Sequence, residues 1–426
     1  MSSKFINELP KLINDGVISE EIALKIENYY DSKSTTSSNK LFTIFGVLGS
    51  LLVGLGIILI LAHNWDDFSK TIKTVLAFLP LVIGQIIVGY SLLKKKSSTW
   101  LESSGIFLFF AVGSCISLIS QIYNIPGNIS SFLLSWILLC LPLIYLLKSK
   151  GLYLLTLIFA TVYACYLGYN YSSGYKTPWF YVLIILMLLP GYYQYLKSKT
   201  IFNFVNILNW FIPISLVIVF GTFLHTSFKF ELLLYILFFS LIYNTGKLNV
   251  FEKASILKNG YIIVGSLGIV VSMLIISFLS FWNKSFQFSS LEIVEILIGI
   301  ILILTTIFLL FKNHSFTKFN FNSIFQFVPF LVILFYLTHL IDDTITIVFV
   351  NITILILGVS TIKKGVDKAN FVYLNYGLLM ITALITCRFF DTKMTFVIRG
   401  LLFIMVGAGF FATNYLMLKR QDKNKK

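Results

Sequence analysis

The feature that most constrains this chain is a succession of about fourteen apolar runs, each close to the length of a bilayer crossing. A hydrocarbon core about 30 Å thick takes roughly 20 apolar residues per helix, and inside it every backbone N–H and C=O must be satisfied by the protein itself. Only helices and closed barrels meet that condition. Barrel strands alternate apolar and polar residues, whereas LLVGLGIILIL (51–61) and EILIGIILILTTIFLLF (295–311) do not. The expected fold is therefore all-α and polytopic. Spans are predicted at 41–61, 72–93, 104–123, 130–147, 151–170, 179–196, 201–224, 231–246, 259–281, 291–311, 322–341, 345–361, 371–388 and 396–417. Composition agrees: 12% of residues are charged, against about 25% in soluble domains.

A net charge of +15 invites a nucleic-acid reading, which the placement of the charges rejects. Alternate connections hold the basic residues. With the N-terminus on the cytoplasmic side, that side and the two tails carry 25 of the 33 Lys and Arg residues, and the opposite side carries eight. The net charge is −1 over residues 1–40, +12 over the six inner connections, zero over the outer ones and +4 in the C-terminal tail. This is the positive-inside bias of a membrane protein, and it predicts both termini in the cytoplasm. The bilayer is the expected partner, with some attraction to anionic lipid, and nucleic acid is not.

Four regions follow. Residues 1–40 form a cytoplasmic helical hairpin and a polar linker (DSKSTTSSNK). Residues 41–150 form a four-helix membrane segment, 151–417 a ten-helix membrane region, and 418–426 a basic tail. In the hairpin, Asp15-Gly16 breaks a first apolar stripe. Ser19 is placed to cap a second helix whose first turn carries Glu20 and Glu21, the favourable sign for that end. No cleavable signal peptide is expected, because the first apolar run starts near Leu41 behind a long charged segment. Pro80, Pro142, Pro190, Pro213 and Pro329 fall inside predicted spans. Gly105 and Gly113 read as close helix packing. Cys115, Cys140, Cys165 and Cys387 read as small buried hydrophobes, without CxxC spacing or a metal partner.

Titratable side chains gather on the predicted outer face. Asp66, Asp67, Glu231, Glu292, Glu295, Asp342, Asp343 and Asp391 lie there, with His63, His225 and His339 at span ends and Arg388 and Arg399 beside them. Ionisable groups at membrane depth default to functional candidates. Arg388, Asp391 and Arg399 suggest a cationic pocket for an anionic head group, or a snorkelling pair. THLIDD (338–343) sets His339 three residues before Asp342, the types an acyl-transfer general base or a metal site would use. No nucleophile elbow, phosphate loop or zinc-protease helix accompanies them. Catalytic residues, metal and cofactor are therefore not assigned. Glu292 and Glu295 read as a hydrated helix end.

Two stretches carry a resemblance. LPKLINDGVISEEIALKIENYY (9–30), with the Gly-rich span closing in LAHNWDDFSKTIK (61–73), is one; ISQIYNIPGN (119–128), leading to a span with Trp136 and Pro142, is the other. Together they resemble the bacterial integral membrane proteins of the domain-of-unknown-function 2157 family, over roughly residues 5–150. The resemblance implies a multi-pass protein of the bacterial inner membrane and no defined activity. Under the charge-derived topology its motifs put Asn64, Trp65, Asp66, Gln121 and Tyr123 on the outer face, beside His339, Asp342, Arg388, Asp391 and Arg399. Asn64 or Asp66 is expected to cap the next helix, and Gln121 to bond across helices. The leading expectation is a non-enzymatic protein that transports or binds a small or lipid-linked envelope molecule in an outward-facing polar cavity. A scaffold or sensor working through the hairpin, and a membrane-embedded transferase using His339 and Asp342, are the alternatives.

Overall fold

A computed structural model describes residues 12–13, 15–19, 21–26, 65–169, 176–197, 202–251, 255–282, 293–313 and 321–391, with scattered helical positions between 397 and 415. Regular structure among them is entirely helical. Two compact units, Met1–Leu79 and Pro80–Lys426, are described separately. Asn64, Arg399, His63, Glu292 and the predicted span at 41–61 lie outside the described residues.

In the first unit, a helical turn at 12–13 ends at Gly16, whose φ of +69° is a left-handed conformation suited to glycine. Residues 21–26 then form a helix, its first turn accepted by the Ser19 carbonyl and braced by a Lys25–Glu21 ion pair of 2.8 Å. The remainder of the predicted hairpin lies outside the described residues.

The helices that follow are α1 (Lys70–Leu93), α2 (Ser98–Ile122), α3 (Ile129–Leu147), α4 (Lys150–Gly168), α5 (Trp179–Lys197), α6 (Phe202–Phe220), α7 (Phe228–Thr245), α8 (Gly260–Ile276), α9 (Leu279–Trp282), α10 (Ile293–Lys312), α11 (Val328–Thr338), α12 (Asp343–Asp367) and α13 (Phe371–Asp391). Among the described residues ten helices are long and apolar enough to cross a membrane. At 1.5 Å per residue, a helix of 19 residues such as α3 spans about 28 Å. The two shorter apolar helices are extended by neighbours. Beyond α8 comes α9, and a 3-10 turn at Phe321–Phe327 leads into α11. Pro329 sits in the first turn of α11 and does not interrupt a span as expected. Proline has no N–H to donate and is tolerated there, so the chain changes helix type at this point.

Apolar side chains also line the outside of the bundle. On α10, Leu297, Ile301, Leu304, Phe308 and Phe311 repeat at helical spacing, and each is more than half exposed. Soluble monomers rarely present so continuous an apolar face; hydrocarbon accommodates it. Inside, one core gathers α2 to α6 around Phe109, Trp136, Ile137, Leu157 and Ile184. A second gathers α7, α8, α9, α11, α12 and α13 around Ile236, Ile269, Met273, Trp282 and Val350. Helix α7 packs against α8, α10 and α11 and is the most buried of the spans. Its predicted start at 231 falls short of Phe228 because Lys229 reads as a loop residue, yet Lys229 is buried.

Small residues set the closest approaches. A Cβ on Gly113 would lie 2.3 Å from the Trp136 ring, so only glycine lets that indole settle. Trp136 Nε1 then donates to the Phe109 carbonyl at 2.7 Å, a bond worth about 1 kcal/mol net. Cys115 and Cys140 are buried and Cys165 and Cys387 half-buried, none of them in a disulfide.

Candidate functional site

Hydrogen bonds tie the ends of helices in the second unit together at two sets of connections. One set is rich in lysine. Glu102 accepts from the backbone N–H groups of Lys150 (2.8 Å) and Gly151 (3.0 Å) and from Ser149 Oγ. Tyr192 donates to Asn209, and Asn209 to the Lys258 carbonyl. Asn259 donates to the Gly246 carbonyl, and Asn244 to that of Gln326. We call this the basic end. The other set holds the acids and histidines and is called the acidic end.

At the acidic end the segment 277–282, between α8 and the end of α9, organises several candidates. His339 lies against the Trp282 indole, with ring centroids 4.8 Å apart, and its Nδ1 meets Asp343 Oδ1 at 2.5 Å. Lys229 donates to the Trp282 carbonyl at 3.1 Å, while Tyr336 donates to the Lys229 carbonyl at 2.7 Å. Arg388 Nη2 donates to Ser277 Oγ at 2.9 Å, with its guanidinium 5.2 Å from the Phe278 ring. His339 and Arg388 are therefore brought to one segment from two helices.

Other expectations at this end are corrected. The partner of His339 is Asp343, one helical turn on, and not Asp342. Asp342 instead caps α12 by accepting from the Ile345 N–H at 3.0 Å. The backbone N–H groups of Ile345 and Thr344 hold its carboxyl below the usual carboxylate range. Glu295 is not a hydrated end: it is 2% exposed and accepts from the His225 N–H at 2.8 Å.

The family-like motifs do structural work. Gln121 and Tyr123 end α2 on its exposed side. In the turn that follows, Asn124 adopts φ +48° and Ser120 Oγ donates to the Ile125 carbonyl. Asn128 caps α3 through a reciprocal capping box with Ser131, a device that satisfies two otherwise orphaned N–H groups. In the first unit, Ser69 and not Asp66 accepts from the first turn of α1, at 3.4 Å from Ile72 N. Asp66 is exposed, and Trp65 lies 5.8 Å from the Lys73 ammonium. Asp391 ends α13.

A cavity of about 220 Å³ lies at the basic end, between α6, α8, α12 and α13. Its walls are Trp210, Leu257, Leu267 and Phe325, and its polar atoms come from Ser266, Ser360, Thr361, Lys364, Tyr373 and Tyr376. Lys364 Nζ sits 4.3 Å from the Tyr373 ring centroid, a cation–π distance. Lys247 Nζ sits 5.4 Å from that of Tyr243, another wall residue. The sequence reading used these lysines only as orientation markers. The local signal for Lys364 is STIKKG (360–365), two hydroxyls and two cations closing an apolar helix. No group of three or more His, Cys, Asp or Glu is arranged to hold a metal among the described residues.

Fold and site together define a multi-pass helical membrane protein with polar bonding concentrated at the two ends of its bundle. Residues 10–153, about a third of the chain, match the family model described as predicted membrane protein (DUF2157). No curated protein and no solved structure matches the chain.

Proposed function

We propose that this is a fourteen-helix protein of the bacterial inner membrane, with both termini cytoplasmic, that binds or carries a small or lipid-linked molecule without chemically altering it. The charge bias supports the orientation. The observation that carries the binding role is the cavity at the basic end, which combines apolar walls with a few convergent polar groups, the usual make-up of a ligand pocket. The sequence alone favoured an outward-facing site. The acidic-end side chains, however, are occupied with capping, stacking and backbone bonds, so the binding role is assigned to the cytoplasmic end.

The test is a cavity-filling substitution. Ser266→Trp places an indole where the cavity lies, from a residue on α8 that lines it. Mass spectrometry of the purified protein should detect an organic ligand retained by the wild type and lost from the variant at unchanged melting temperature. Equal retention by both would refute the assignment.

A further inference from the structure

The cavity's charge is as informative as its volume. Lys364, near the end of α12, lines the cavity, and Lys247, from the connection after α7, stands over the ring of Tyr243, another of its walls. Among the described residues neither Lys247 nor Lys364 forms an ion pair. Asp367, three residues beyond Lys364, is exposed. Two lysine side chains at the edge of one apolar cavity repel one another when both are charged, more strongly the less water screens them. An anion between them converts that repulsion into two attractions.

The remaining walls say what the anion is attached to. Leu257, Leu267 and Val372 are 58%, 42% and 36% exposed, so the cavity's apolar lining continues onto the exposed surface of the bundle. Inward it reaches the buried Phe325, which offers a hydrocarbon chain an apolar surface and no charge. Tyr373 stands beside Lys364 with a hydroxyl donor suited to a phosphate oxygen, whereas Ser360 and Thr361 donate to the Leu357 carbonyl.

We propose that this cavity is a binding site for an anionic amphiphile, a phosphate or phosphodiester head on an acyl chain, with Lys247 and Lys364 on the head and Leu257, Leu267 and Phe325 along the chain. The inference rests on the binding role assigned to the cavity above and adds the ligand's chemical class.

Three probes separate the possibilities, each measured on the full-length protein in neutral detergent: dioctanoyl phosphatidylglycerol, dioctanoylglycerol and glycerol phosphate. The phosphatidylglycerol should bind saturably. Lys364→Gln and Lys247→Gln should each weaken it about tenfold or more, the loss of one charge-assisted contact, whereas Lys364→Arg should retain it. Dioctanoylglycerol should bind weakly and be indifferent to both Gln variants. Equal affinity for dioctanoylglycerol, abolished by Ser266→Trp, would overturn the anion claim and leave the cavity's binding role intact. Glycerol phosphate binding as tightly as the phosphatidylglycerol would overturn the amphiphile claim. Binding of all three untouched by Ser266→Trp would overturn both. A Gln variant that unfolds is replaced by its Arg counterpart, where loss of phosphatidylglycerol binding at normal stability also counts against the site.

Discussion

Glu102 offers the sharpest test of the packing, because one carboxylate joins two connections. Oε2 accepts from Ser149 Oγ and from Gly151 N, and Oε1 from Lys150 N, so the first N–H groups of α4 are satisfied from the start of α2. Helix N-termini favour negative charge by about 0.3–1 kcal/mol, and a hydrogen bond to a charged group is worth about 1.5–3 kcal/mol. Glu102→Gln keeps the shape but has one acceptor oxygen. Its best rotamer leaves that oxygen on Ser149 and Gly151 and turns the NH2 toward the Lys150 N–H, donor against donor. One charge-assisted bond and the dipole contribution are lost, and the site is only half-buried, so solvent recovers part of the loss. The expected cost is about 2 kcal/mol. Glu102→Leu removes the other two bonds and should cost about 4 kcal/mol. Equilibrium unfolding in mixed micelles measures both, and a double-mutant cycle between Glu102→Leu and Ser149→Ala isolates the bond to Ser149. Coupling near zero, or a Gln variant within about 0.5 kcal/mol of wild type, the scatter expected of an ordinary surface change, would refute the reasoning.

Gly113→Val forces a branched side chain into the Trp136 ring and should destabilise by about 1–3 kcal/mol or more. Gly89→Ala, where a Cβ meets nothing within 4 Å, should be neutral or stabilising in the same assay. Asp342 has a folded-state pKa below its unfolded value, so its capping contribution is present above the unfolded pKa of about 3.9 and lost as pH falls through the folded value. A pH titration of stability should show that acid-side loss in the wild type and a smaller one in Asp342→Ala; identical slopes would contradict the cap.

Much of the architecture is written in the sequence, because span length and hydropathy are local properties. Each predicted span from 72–93 to 371–388 overlaps a described helix, alone or with the short helix or 3-10 turn that adjoins it. What the sequence concealed depends on contacts between distant residues. Lys229 reads as a loop cation until the Trp282 carbonyl, 53 residues on, accepts a hydrogen bond from it. Glu102 reads as a stray inner acid until α4 supplies N–H groups for it. The Asp342–Asp343 pair looks interchangeable, and only the start of α12 decides which carboxylate caps and which meets His339. The cavity was the least legible feature: its walls run from Trp210 to Tyr376 and are apolar residues that hydropathy assigns to packing. The lysines that mark it served as a topology signal, and nothing local distinguishes a cation that orients a helix from one that also faces a ligand.

The central claim is a polytopic bundle whose basic, cavity-bearing end faces the cytoplasm. In a background with the four native cysteines replaced, single cysteines at Lys176 and Ser227 on the acidic end, and at Lys148 and Ser255 on the basic end, can be challenged with a membrane-impermeant maleimide in intact cells. The account predicts that Cys at 176 and 227 reacts at once, whereas Cys at 148 and 255 reacts only after permeabilisation. The reverse pattern would contradict the orientation, and prompt labelling of all four positions would contradict the bundle itself.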